Sequence, residues 1–201
     1  MKRSALVLAA LALLMACAAD TNFNPLEDYE PVAFSGVLDA PTPDGVPAEN
    51  RAAVTRGEYL VELLGCGACH TDGALIGRPD AGRALAGSRI GIAYTSPLEN
   101  PNPGILFPPN ITPDMETGIG RWSDQQIMEA IRAGLGRHAG RRIMVMPWQG
   151  YSRLSNDDAR AILTYLRSLK PVRHRVPDDV VPGTATRDPY VHFGVYRSRD
   201  I

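Results

Sequence analysis

Residues 66–70 read Cys66-Gly67-Ala68-Cys69-His70. Two thiols separated by two residues at a helix end share one face, and a histidine follows the second directly. This C-x-x-C-H spacing is the attachment signature of a c-type haem. Both thiols can form thioethers to the two vinyl groups on one haem edge, and His70 then lies under the iron and can give it an imidazole nitrogen. Two rival chemistries share the cysteine spacing. A thioredoxin-like redox pair wants a βαβ context and gains nothing from the histidine. A structural zinc site needs four ligands, and no second cysteine pair completes one.

Outward from the motif, the pattern is helical. Thr55 and Glu58 have the spacing of a capping box, with an earlier start near Arg51 as the alternative. Tyr59, Leu60, Leu63 and Leu64 then predict an apolar face leading into Cys66. Ser123 and Gln126 cap a second helix with Ile127, Ala130 and Ile131 on its face, ending near Gly134 and Gly136. Ser155 opens a third, whose stripe is Ala159, Ile162, Leu163, Leu166 and Leu169, and Pro171 stops it. No strand pattern has comparable strength. The expected fold is all-α, a small helical domain wrapped around one covalently bound haem. Residues 71–121 form a long ordered loop region, as the 19 glycines and 17 prolines suggest. A loop this long is acceptable because it can bury side chains against a large apolar plate.

An electron-transferring iron favours a second axial ligand. Met115, Met128, Met144, Met146, His138, His174 and His192 are the candidates. Met128 reads as core filler beside an apolar stripe. His138 lies in the Arg-rich turn 136–140 and reads as solvated, while His174 and His192 lie beyond Pro171, poor ground for a buried ligand. Met144 and Met146 stand together in Ile143-Met144-Val145-Met146-Pro147-Trp148, where Pro147 restrains the backbone after Met146. Spacing alone leaves these two methionines close to even.

Further stretches carry a family resemblance. These are Arg56-Gly57-Glu58-Tyr59-Leu60, the C-G-A-C-H motif, Asn110-Ile111-Thr112-Pro113-Asp114, Thr117-Gly118-Ile119-Gly120 with Trp122-Ser123-Asp124, Met146-Pro147-Trp148, and Ala161-Ile162-Leu163-Thr164-Tyr165-Leu166. With them, residues 51–172 resemble a class I c-type cytochrome domain, in particular the haem modules in cytochrome subunits of membrane-bound bacterial alcohol and gluconate dehydrogenases. The resemblance implies Met146 as the axial ligand opposite His70, with Trp148 where a tyrosine is common. It implies that the first and last helices cross through Gly57 and Tyr165. Asn110, Arg121 and Trp122 become candidates to hold the haem propionates, since guanidinium and indole N–H groups are suitable donors. Those dehydrogenase subunits usually carry three such modules, whereas this sequence has one C-x-x-C-H.

The amino terminus reads as an address. Lys2 and Arg3 precede a twelve-residue apolar run, Ala5 to Ala16, which is shorter than the ~20 residues a membrane span needs but suits a signal peptide. Leu14-Met15-Ala16-Cys17 resembles the lipobox of bacterial lipoproteins, with Met15 at a place usually taken by a small residue. That resemblance implies lipid attachment at Cys17 after removal of residues 1–16. Removal leaves 19 basic and 22 acidic side chains. Neither that balance nor the full-length net charge of −1 offers a footprint for nucleic acid. Residues 17–50, with Pro25, Pro31, Pro41, Pro43 and Pro47, read as an extended tether. Residues 51–171 are the haem domain, and 172–201 a tail that either docks a partner through Tyr190, His192, Phe193 and Tyr196 or packs back on the domain.

The expected function is electron transfer, not enzymatic catalysis: a single haem c on the periplasmic side of the cell envelope, lipid-anchored to a membrane. It would exchange electrons with redox partner proteins, a dehydrogenase, a respiratory complex or an oxidase. The alternative is a haem enzyme or gas-binding sensor with a labile second axial site. No nucleophile–base pairing, Walker loop or zinc-hydrolase motif supports another enzyme class.

Overall fold

In the computed structural model, which describes residues 39–136 and 145–194, the first α-helix, α1, spans Arg51–Leu63. It starts at the earlier of the two expected positions. By Thr55 the helix is already in its second turn, and Glu58 Oε1 accepts from Thr42 Oγ1 at 2.7 Å in place of the expected capping box. Its buried face is Val54, Gly57, Leu60 and Val61. Tyr59 and Leu63, expected on the inner face, are 51% and 64% exposed. The register that counts is Val54–Gly57–Val61, the side that meets the last long helix.

That helix, α5 (Asn156–Ser168), begins where Ser155 accepts the N–H of Asp158. It buries Ala159, Ala161, Ile162, Leu163, Tyr165 and Leu166. Between them in sequence come α2 (Cys66–His70), α3 (Asp124–Ala133) and α4 (Trp148–Tyr151). In α3 the capping box forms in both directions, Gln126 N–H to Ser123 Oγ at 3.2 Å and Ser123 N–H to Gln126 Oε1 at 2.8 Å. Gly134 closes the helix in the left-handed conformation that glycine adopts cheaply.

The crossing of α1 and α5 is at van der Waals limits. A Cβ on Gly57 would stand 2.1 Å from Ala161 O and 2.6 Å from Tyr165 Cβ. Only glycine lets the two backbones approach this closely. The core of the domain, Val54, Leu60, Val61, Ile127, Ile162 and Tyr165 among its members, is continuous on both sides of this contact.

The all-α expectation is met in part. Besides the helices, the described residues include a small sheet of order β2-β1-β3, made of β1 (Gly91–Ala93), β2 (Ile105–Leu106) and β3 (Tyr190–His192). β2 runs antiparallel to β1 with Ile92 opposite Leu106, and β3 runs parallel to it with Gly91 opposite Tyr190. Strands of two or three residues are too short to show alternation, so the sheet has no local signal in the sequence.

Two flanking stretches contact the helical domain and its long loop. Residues 39–50, the end of the expected tether, lie on the helical domain. Ala40 N–H donates to Glu62 Oε1 at 3.0 Å and Tyr165 OH donates to Pro41 O at 2.7 Å. The segment after Pro171 is sewn into the long loop through β3 and through a bridge between Ile105 and Val180. Its buried side chain is His174, whose Nδ1 donates to Ala86 O at 2.9 Å. Among the described residues no helix is long and apolar enough to cross a membrane. The signal peptide, Cys17, His138, Met144 and Tyr196 lie outside the described residues.

Candidate functional site

Gly65, in the left-handed conformation, turns the chain between α1 and α2 and so places Cys66 and Cys69 one turn apart. Both cysteines are free thiols and half-buried. Burial pushes the Cys66 thiol up to about 12, with Cys69 adding to the rise and the Cys66 backbone N–H opposing it. Burial raises the Cys69 thiol as well. Dithiol redox pairs work through a depressed thiol pKa. These two thiols are shifted the other way, which does not suit a thioredoxin-like pair.

His70 closes the same short helix. Its Nδ1 lies 2.8 Å from Pro109 O, an acceptor that can only receive a proton, so the ring carries its hydrogen on Nδ1 and its lone pair on Nε2. The loop that supplies this acceptor is itself fixed. Gly87 N–H donates to His70 O at 2.8 Å, Ser88 N–H to Pro108 O at 3.0 Å and Ile111 N–H to Leu85 O at 3.0 Å. The sequence marked residues 71–121 as one long loop. The structure ties it to the C-x-x-C-H helix at Gly87 and Pro109 and to itself through the Ser88 and Ile111 bonds.

Cys66, Cys69 and His70 open onto an apolar cleft that is partly open to solvent. Val61 of α1, Leu64 just past its end, Ile127 of α3 and Ile162 of α5 line its walls, and Met146 joins them from the segment before α4. Among the described candidates for a second ligand, Met146 lines the cleft. Met115 is 57% exposed, Met128 packs against the core, and His174 is taken up by Ala86 O. The donor set therefore consists of two thiols, one imidazole with a fixed tautomer and one thioether, within apolar walls. These residues fit a haem c: a large apolar plate fills such a space, and the donors have the chemistry of its covalent and axial bonds.

The three residues expected to hold propionates separate. Trp122 is half-buried and lines the cleft. Arg121 is exposed and is not among the lining residues. Asn110 is 2% exposed, and both its polar atoms are committed within the protein. Its Nδ2 donates to Thr117 Oγ1 at 3.0 Å and Val172 O at 2.7 Å, while its Oδ1 accepts from Thr112 N at 2.9 Å and Thr112 Oγ1 at 2.7 Å. Asn110 also lines the cleft, and with these bonds it is a clasp between loop and C-terminal segment at the cleft wall.

Two contacts at the site had no signal in the sequence. Arg167 of α5 donates to the carbonyls of Ile119 and Trp122 and pairs with Asp124 at 3.0 Å, which holds the chain around Trp122 against the last helix. Asp72, two residues past His70, is a buried anchor. Its Oδ2 pairs with Arg83 at 2.7 Å and Arg89 at 3.0 Å, and its Oδ1 accepts Arg89 N–H at 2.9 Å. His174 Nε2 lies 3.6 Å from the same carboxylate.

Residues 54–170 match the Cytochrome c family, and the chain belongs to it. It is 36% identical over 132 residues to the cytochrome c subunit of alcohol dehydrogenase (quinone) from Gluconobacter oxydans, covering 64% of this chain and 24% of that one. It is 31% identical over 152 residues to the fructose dehydrogenase cytochrome subunit of Gluconobacter japonicus, covering 75% and 28%. It is 32% identical over 134 residues to the gluconate 2-dehydrogenase cytochrome c subunit of Pantoea cypripedii, covering 66% and 27%. The chain thus spans about a quarter of the length of these relatives.

Proposed function

We propose that this chain is an extracytoplasmic, membrane-anchored monohaem c-type cytochrome. It passes single electrons between a dehydrogenase or respiratory complex and a downstream acceptor. The observation that carries the reading is the convergence of Met146 with Cys66, Cys69 and His70 on one apolar cleft, 76 positions apart in sequence between the two axial candidates. Haem c, when bound, supplies one-electron chemistry at its iron.

The chain's own residues divide the work. Cys66 and Cys69 offer thiols for thioether bonds, and His70 offers Nε2, oriented by its Nδ1 hydrogen bond to Pro109 O. Met146 offers a soft, neutral thioether, which favours the reduced state compared with a second histidine and so raises the reduction potential. The apolar walls exclude water and lower the local polarity around the site. We place the signal peptide at residues 1–16 and lipid attachment at Cys17. The tether then occupies residues 17–50, and Ala40 and Pro41 near its end contact the domain.

The relatives' names support a dehydrogenase as electron donor. The test is Met146→Ala in the full chain produced with a haem-maturation system. The expected result is a mass that includes one covalent haem, a lower reduction potential and binding of carbon monoxide by the reduced protein. Purified material without colour or without the covalent adduct overturns the reading. A Met146→Ala variant with wild-type potential and unchanged ligand affinity favours the sensor or haem enzyme instead.

A further inference from the structure

Met146 belongs to a segment that folds back on itself in tight turns. Trp148 N–H donates to Met146 O at 2.7 Å, Gly150 N–H to Pro147 O at 3.0 Å, and Leu154 N–H to Tyr151 O at 3.0 Å. Residues 146–154 are therefore linked to one another by backbone hydrogen bonds. Two side chains connect that segment to the walls of the cleft. The Trp148 indole lies over Gly134 at the end of α3, so close that a Cβ there would meet Cδ1 at 2.7 Å. On the other side, Tyr151 OH donates to Leu64 O at 3.0 Å.

Leu64 is the C-cap of α1, two residues before Cys66. Its carbonyl is one that a helix end leaves without an intrahelical donor, so it is available to a side chain from elsewhere. The Tyr151 hydroxyl thus ties the methionine segment to the element that leads into the two cysteines, across 87 positions of chain. Tyr151 also lines the cleft with its ring. A thioether is a neutral ligand with no charge attraction to hold it, so its retention depends on how well its backbone is placed beforehand.

We propose that Tyr151 is a positioning residue for Met146. Through its hydrogen bond to Leu64 O it holds the methionine segment at a fixed distance from the C-x-x-C-H helix and keeps the sulfur on the site. This rests on the reading of Met146 as second axial ligand. Phenylalanine in place of Tyr151 keeps the ring and its packing and removes the tie alone.

The test compares Tyr151→Phe with Met146→Ala and wild type in the haem-loaded full chain, by titrating the oxidised protein with imidazole and following the thioether-to-iron charge-transfer band. An imidazole molecule must displace the methionine to bind, so its affinity reports how firmly the sulfur is held. Loss of one neutral hydrogen bond predicts a roughly 3- to 10-fold rise in imidazole affinity in Tyr151→Phe. The charge-transfer band should persist without imidazole and disappear at correspondingly lower imidazole concentration. A Tyr151→Phe protein with wild-type imidazole affinity, beside a Met146→Ala protein that binds tightly and lacks the band, overturns the role of Tyr151 and leaves that of Met146 intact. A Tyr151→Phe substitution that lowers only the unfolding midpoint overturns that role as well. A Met146→Ala protein that keeps the band and the wild-type affinity overturns both.

Discussion

Asn110 and Val172 are joined by a 2.7 Å hydrogen bond from the asparagine Nδ2 to the valine carbonyl, across 62 positions of chain. The same side chain bonds Thr112 and Thr117. The loop that supplies the Pro109 acceptor to His70 is thereby fastened to the segment beyond α5.

Asn110→Ala strips these partners of their bonds in a buried place. At ~1–3 kcal/mol for each buried group left unsatisfied, with two or more affected, the loss of unfolding free energy should be about 3 kcal/mol. Urea unfolding measures it. The reduction potential of the folded fraction should stay near wild type, because the polar atoms of Asn110 are bonded within the protein. A changed potential with unchanged stability would favour the propionate role.

Gly57→Ala tests the helix crossing. The added methyl would meet Ala161 O and the Tyr165 Cβ, backbone and near-backbone atoms that cannot swing aside. Overpacking costs ~1–3 kcal/mol and more where the neighbours cannot yield, against ~1 kcal/mol gained in helix propensity. A net loss of about 2 kcal/mol is expected from the denaturant midpoint. An unchanged midpoint would mean that α1 and α5 can part without cost.

Asp72 sets a pH dependence. Burial pushes its carboxyl up, but the Arg89 N–H and the Arg83 and Arg89 side chains outweigh that and hold it below the ordinary carboxylate value. A folded pKa below the unfolded one contributes stability that is complete above the unfolded value, ~3.9 for aspartate, and is lost as pH falls through the folded value. Stability measured against pH should therefore show Asp72→Asn well below wild type near neutrality, with the gap narrowing below about pH 4. A gap that stays constant down to acid denaturation refutes the assignment.

Local signals in the sequence read true where the structure is local. Cys66–His70 sits on one short helix, Ser123 and Gln126 cap α3 as their spacing demands, and Ser155 opens α5. Gly57 meets Tyr165 at the crossing that the family resemblance implied. Elsewhere the decisive contacts join residues far apart in sequence, and such pairs leave no period to read. Glu58 looked like half of a cap and is the partner of Thr42. Arg167, in the last turn of α5, carries no signal for its partner and holds the Trp122 backbone. His174 lies beyond Pro171, where no pattern marks burial, and is buried against Ala86. Asn110 lines the cleft, and its hydrogen bonds reach Val172, 62 positions further along the chain.

The stitching of residues 172–192 into the long loop also orders events in time. A chain that emerges amino terminus first brings out Cys66 and Cys69 about 100 residues ahead of Val172. Until the last segment arrives, the loop that holds Pro109 against His70 has neither its Val172 clasp nor its parallel third strand. The nascent domain therefore stands ajar while its thiols are first within reach, and it latches only when its final stretch lands.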